Sequence, residues 1–323
     1  MCDRSTDTAL EAAQHKTGEI VSNIEKVIVG KPRAIELSLI TLLSQGHLLI
    51  EDSPGVGKTV LARSLARSVN CTFSRIQFTP DLLPGDITGV SIYNQKMGEF
   101  EFRPGPVMAQ VVLADEINRA TPKTQSALLE CMDERRVSVD GVTRPVPDPF
   151  HVLATENPLE YEGTFSLPET QLDRFSLRLT IGYPTVSQEI EVMEGQQHVH
   201  PIELLEPVTD ASELLMLQAL VKEVYVDALV KEYIASLVHA TRNHPAVYLG
   251  ASPRGSLALF RTSQARALMH GRTFVLPDDV KVLAAAVLAH RLVLHSPDGA
   301  RNGAGASVIA QILDTVAVPG ALP

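Results

Sequence analysis

At 323 residues, with 45% hydrophobic and 20% charged residues, the chain has the composition of a globular protein of two domains or one large one. A formal net charge of −10 argues against broad contact with nucleic acid or anionic membrane, which rests on Lys and Arg neutralising phosphates, and leaves room only for a local basic groove. Apolar runs such as Leu283 to Ala289 are far short of the roughly 18 residues a membrane span needs. The start of the chain carries Asp3, Asp7 and Glu11 without an apolar leader region, so a cytoplasmic protein is expected. Cys2, Cys71 and Cys131 have neither disulfide nor zinc-ligand spacing and read as packing or inert thiols.

Residues from about Asp7 to Val27 have amphipathic helical spacing, with Ile20, Val21, Ile24, Val27 and Ile28 on one stripe. Val29-Gly30-Lys31-Pro32 follows. Gly30 serves either as a helix stop or as a point where backbone approaches a flat ring, and its place ahead of the next motif favours the ring.

That motif is HLLIEDSPGVGKTVLARSLA, His47 to Ala66. Leu48, Leu49 and Ile50 form a short apolar run of the kind buried on both faces of a parallel sheet. Pro54, Gly55 and Gly57 supply a turn in which consecutive N–H groups point at one anion, and the next helix adds the positive end of its dipole. Lys58 brings a charge for β/γ-phosphates, and Thr59 a hydroxyl for magnesium. Asp52 stands where the pattern GxxxxGK[ST] has its first glycine.

A second strand is predicted over Phe73 to Phe78. The Gly- and Pro-rich segment Asp81 to Pro106 reads as a hairpin insertion, with Val90, Ile92, Phe100 and Phe102 on two strands around Asn94 to Gly98; its aromatics face either a partner or the domain itself. Val111 to Ala114 is a further buried strand ending in Asp115-Glu116. Adjacent carboxylates there suit an Asp that orients a magnesium shell and a Glu that polarises the attacking water. Thr121-Pro122 opens a helix to about Glu134, and Arg136 to Val146 forms a hairpin about Asp140-Gly141. The strand Phe150 to Ala154 ends in Thr155-Glu156-Asn157-Pro158, where the Asn157 amide either holds a water or γ-phosphate or is a turn residue before proline. Arg174, before the strand Phe175 to Ile181, either pairs with Asp173 or Glu169 or reaches a neighbour's phosphate on a ring surface.

Beyond Tyr183-Pro184 only helical periodicities remain, so this is the expected domain boundary. Asp210 with Glu213 resembles a capping box, Asp227 caps another helix, and Pro277 with Asp278 and Asp279 opens a third. Ser252-Pro253-Arg254 puts a cation in a first helical turn, against the macrodipole, which a bound nucleotide's phosphates would offset. His198 and His200 lack the further ligands of a metal site.

The motifs VGKPRAIE, LLIEDSPGVGKTVLA, VVLADEINRA, LATENP, LPETQLDRF and GASPRGSLAL, in this order, resemble the AAA+ ATPases and, closely, the MoxR family among them. The resemblance implies an α/β fold: a P-loop NTPase αβα core with a five-stranded parallel sheet over residues 1–183, and a C-terminal all-α lid over 184–323. It implies ATP or ADP held with magnesium between them, at Val29, Gly30, Ser53, Pro54, Gly55, Val56, Gly57, Lys58, Thr59, Val60 and Arg254, with Thr59 and Asp115 on the metal. It also implies catalytic roles for Lys58, Glu116, Asn157, Arg174 and Arg254, and a ring, hexameric in the family, in which Arg174 serves the adjacent subunit. The family acts as chaperones that mature or activate enzyme complexes, often with a von Willebrand factor A domain partner. Glu156 departs from a more familiar glutamine.

The alternatives are the motor subunit of a metal chelatase, which shares these motifs, a nucleic-acid motor, and a non-hydrolysing switch. Charge weighs against the nucleic-acid motor. Arg135, Arg136 and Arg144 against Asp140 and Asp148 leave the second hairpin at +1, while Lys96 against Asp86, Glu99 and Glu101 leaves the insertion at −2.

Overall fold

A computed structural model describes residues 4–157, 164–295 and 303–318; Cys2, Asp3 and Pro158 lie outside them. The chain opens with α1 (Arg4–Glu25) and α2 (Pro32–Leu43), the latter started by a proline at N1, where the missing N–H costs nothing. The central motif follows as β1 (Leu48–Glu51) and α3 (Lys58–Ser68). Next come β2 (Phe73–Gln77), α4 (Pro84–Thr88) and the antiparallel pair β3 (Gly89–Asn94) and β4 (Glu99–Pro104). Then β5 (Val111–Asp115) leads into α5 (Pro122–Glu134), and a second hairpin, β6 (Arg136–Val139) and β7 (Val142–Pro145), leads into β8 (His151–Glu156). A single turn α6 (Glu169–Leu172) precedes β9 (Leu177–Leu179).

The strands β2, β5, β8, β1 and β9, in that spatial order, form one parallel sheet. Parallel strands need crossovers, so both faces are covered and the strands read as unbroken apolar runs. Alternation along each strand then divides the core. Leu48, Ile50, Leu113 and Leu153 face α1, α2 and α3, whereas Leu49, Val112, Ala114 and Val152 face α5 and Phe175. The carboxyl ends of β5, β8 and β1 lie side by side, where open α/β sheets bind ligands.

The remaining elements are α7 (Val186–Gly195), α8 (Ala211–Glu223), α9 (Ala228–Asn243), β10 (Val247–Leu249), α10 (Pro253–Met269), α11 (Pro277–Leu288), β11 (Val293–Leu294) and α12 (Ala304–Thr315). This part is helical, as the periodicities require, with one addition: β10 and β11 pair antiparallel, in pieces too short to show a strand period. Leu259, Leu268 and Leu283 from here join the same apolar cluster as Leu48 and Leu61, with α1 and α2 packed between.

Local chemistry differs from expectation at a few points. Asp210 caps α8 through the N–H groups of Ser212 and Glu213, but the Glu213 carboxylate turns to the Thr209 hydroxyl at 2.6 Å instead of completing a capping box. His200 accepts from the N–H of Ile202. In the β3–β4 hairpin Tyr93 and Phe100 are exposed and pack edge to face on each other, while Phe102 lies under Arg144 of the second hairpin, 4.0 Å from guanidinium carbon to ring centre.

Candidate functional site

Gly55 and Gly57 take φ of +82° and +94°, the left-handed region that glycine enters without a Cβ penalty. A Cβ at either would meet nothing within 4 Å, so the loop is an open cradle. Ser53, Val56, Thr59 and Val60 are half-buried along it, Pro54 is exposed, and Thr59 and Val60 occupy the first turn of α3 behind Gly57. Lys58 is buried, and its ammonium donates to the carbonyls of Asp52 at 2.6 Å and Glu156 at 3.2 Å. Burial pulls its pKa down, opposed by the carboxylates of Asp52, Asp115, Glu116 and Glu156. Lys58, Asp115 and Glu116, distant in sequence, are thus brought within electrostatic reach of one another.

Asp115 ends β5 beside the end of β8. Its Oδ1 accepts from the Thr155 hydroxyl at 2.7 Å, and its Oδ2 accepts from Arg75 Nη2 at 2.7 Å and Nε at 3.0 Å. Glu116 takes φ +58°, a strain of roughly 1–3 kcal/mol that its neighbours must hold. Its N–H donates to Thr155 Oγ1 at 2.8 Å, and its Oε2 accepts from Gln77 at 3.0 Å and Arg119 at 2.9 Å. Arg75 and Gln77 carry no motif, and sequence reasoning missed them; Thr155 lies within LATENP but was given no role of its own there. The available signal was that hydroxyl, fully buried one residue after the apolar run Val152 to Ala154. Asn157 is buried at the end of β8, next to Glu156.

This arrangement fits a magnesium-bound polyphosphate: an open N–H cradle, a buried ammonium held by backbone carbonyls, and a carboxylate already facing a cation, Arg75. Thr59 and Asp115 are the residues that would hold the metal.

Near Gly30, whose φ is +67°, the expected ring contact is occupied by protein. The Gln188 amide lies against its α-carbon, where a Cβ would come within 2.0 Å, and donates to the Gly30 carbonyl at 3.3 Å. Beside it a cleft of about 490 Å³, a size ordinary for small-molecule sites, is lined by Gly30, Lys31, Thr180, Ile181, Ala285 and Ala289, among others. Val29 is half-buried at its approach.

Arg174 and Arg254 are elsewhere. Arg174 donates to the Leu129 carbonyl at 2.8 Å and lies 3.2 Å from Asp133, and Arg254 lies 3.1 Å from the same carboxylate. Ser176, level with His47, and Ile181, level with Asp52, are five strand steps apart, about 16 Å. Both arginines therefore sit at the amino end of the sheet, away from their own phosphate loop. Within this chain the group that offsets the macrodipole at Arg254 is a carboxylate, where a bound nucleotide's phosphates were expected. It is Asp133, and the Ser252 hydroxyl pins that helix start to Asp173 at 2.7 Å. Arg174 pairs with neither Asp173 nor Glu169; Asp173 is taken by the buried Arg291 at 2.9 Å.

The Glu156 carboxyl is shifted toward its neutral form. Burial, with the Glu51 carboxylate beside it, raises its pKa from 4.5 to about 7, against the pull of Arg178 and Lys58. In the window from 4.5 to about 7 the unfolded chain has lost this proton and the folded chain keeps it, so stability falls as pH rises and levels off above. Glu156→Gln should lack that slope. Urea midpoints at pH 5 and 8 check this: the wild type loses more stability between them than the variant.

Residues 47–177 match the family described as "ATPase family associated with various cellular activities (AAA)", and residues 239–312 match the AAA lid domain. The chain is 54% identical to the uncharacterised protein YeaC of Bacillus subtilis, covering 94% of each. It is 43% identical to Chaperone MoxR1 of Mycobacterium tuberculosis, covering 96% of this chain and 84% of that one. A crystal structure of a Cytophaga hutchinsonii protein superposes with a TM-score of 0.91 at 37% identity, covering 98% of both chains.

Proposed function

The chain belongs to the MoxR family of AAA+ ATPases, and on that footing we propose that it is a magnesium-dependent, ring-forming motor that spends ATP hydrolysis on remodelling a client protein in the cytoplasm. The observation that carries this is the meeting of Lys58, Asp115 and Glu116 at the joined carboxyl ends of β1, β5 and β8. We place the division between nucleotide-binding core and lid at Tyr183-Pro184.

In this reading the loop from Ser53 to Thr59 binds the phosphates and the cleft beside Val29 and Gly30 takes the base, with Gln188 yielding to it. Thr59 and Asp115 would hold magnesium, which would supply neutralisation of phosphate charge. Lys58 steadies the γ-phosphoryl oxygens, Glu116 takes the proton of the attacking water, and Asn157 orients that water.

Arg174 and Arg254 share one half-exposed carboxylate, Asp133, at a distance from their own loop, which supports their serving a neighbouring subunit's nucleotide. Such service passed head to tail from each subunit to the next closes into a ring, a hexamer by family. A relative's name, Chaperone MoxR1, supports the chaperone role. The exposed Tyr93 and Phe100 supply an apolar hairpin for a client, and a von Willebrand factor A domain protein is the partner we expect. Phosphate release is the test. Release that requires magnesium, and whose rate per subunit rises with protein concentration as rings assemble, supports a hydrolysing motor, whereas nucleotide binding without release makes the protein a switch.

A further inference from the structure

Where the phosphate-loop pattern has a glycine, this chain has Asp52, and the nucleotide reading gives that side chain no task. It is only 7% exposed, and burying a carboxylate is costly unless donors surround it. The donors are backbone amides. Oδ1 accepts from Ser53 N–H at 2.8 Å, and Oδ2 accepts from Ile181 and Gly182 N–H at 2.7 Å each. Ile181 and Gly182 follow β9 and are the last residues before the chain crosses into the lid at Tyr183 and Pro184.

The same residue's main chain faces the site. Its carbonyl accepts from Lys58 Nζ at 2.6 Å, and its N–H donates to the Glu156 carbonyl at 3.2 Å. The far side of the crossing is fixed too. Gly182 turns with φ +71°, and the Tyr183 carbonyl accepts from Lys31 Nζ at 2.8 Å, beside the cleft that Lys31, Thr180 and Ile181 line. A glycine at position 52 would provide the turn but leave both crossing amides without this acceptor.

We propose that Asp52 is a positioning residue that couples the phosphate loop to the lid crossing. Phosphate oxygens compete with the Asp52 carbonyl for the Lys58 ammonium, and any shift of Asp52 moves the two amides its carboxylate holds. Occupancy at the loop is thereby passed to the lid along covalent bonds and two charge-assisted hydrogen bonds, without a contact between nucleotide and lid. The inference rests on the nucleotide reading of the loop.

Amide hydrogen exchange of the full-length protein, with and without ADP and magnesium, tests it. In the wild type, ADP should protect the peptide over 52–60 and change exchange over 177–184 as well. Asp52→Gly should speed exchange at Ile181 and Gly182 by about tenfold or more, as expected for loss of a hydrogen bond to a charged group, and confine the ADP response to 52–60. Asp52→Asn, which keeps an oxygen for the crossing amides, should restore most of the 177–184 response; a general structural defect would not be mended this way. An ADP response over 177–184 that persists in Asp52→Gly overturns the coupling alone. A wild type that responds over 52–60 but not over 177–184 also overturns it, without relying on any variant's folding. No ADP response over 52–60 in the wild type overturns the nucleotide reading and the coupling together.

Discussion

Arg174→Ala lowers ATP turnover by about 10³- to 10⁵-fold, the range arginine fingers supply, while ATP affinity stays near the wild-type value. The expectation follows from position. Arg174 lies at the amino end of the sheet, bonded to Leu129 and Asp133, with β9 between it and Asp52 at the start of its own loop. It cannot serve that loop, so removal spares binding. In the proposed ring its service is to a neighbour, which gives the loss a distinctive remedy. Mixing Arg174→Ala subunits with Lys58→Ala subunits creates interfaces that pair an intact finger with an intact loop, and activity returns. Equal unfolding midpoints for the variant and the wild type exclude damage to the Asp133 cluster. If mixing restores nothing, the finger does not act between subunits.

Glu116→Gln should bind ATP as tightly as the wild type and turn it over about 10²- to 10⁴-fold more slowly, the usual contribution of a general base. The bond that fixes this residue in its strained conformation is its own N–H to Thr155, which the substitution leaves in place. A glutamine also remains able to accept from Gln77 and Arg119, so the end of β5 keeps its shape. What disappears is the proton acceptor. Near-normal phosphate release from this variant would remove Glu116 from that role. A protein arrested in this way should also hold its partners, which makes it the form to use for recovering a client.

Much of this was legible in the sequence because it is local. An apolar run, two glycines and Lys58-Thr59 specify a strand, loop and helix within twenty residues; Asp140-Gly141 specifies a hairpin turn; Pro122 and Pro277 start helices. What was not legible depends on residues that are distant in sequence. Arg254 and Asp133 are 121 positions apart, Asp52 and Gly182 are 130, and no periodicity reports either pairing. The Arg254 departure from helix-dipole preference was visible, but its compensation was assigned to phosphate when the fold supplies Asp133. Arg75 and Gln77 face Asp115 and Glu116 only because β2 lies next to β5, an order the strand sequence alone does not contain. The pairing of β10 with β11 escaped notice because three residues and two do not make a period.

In the proposed function Lys58, Thr59, Asp115 and Glu116 surround one magnesium triphosphate. Calorimetric titration of ATP into the wild type and into Lys58→Ala, each with magnesium and with a chelator, tests it most directly. Saturable heat is expected from the wild type with magnesium, weakened when the metal is chelated, and binding to Lys58→Ala should be weaker by roughly tenfold to a hundredfold, the equivalent of one charged hydrogen bond. Equal heats from the two proteins, or none from the wild type at millimolar ATP, would contradict it.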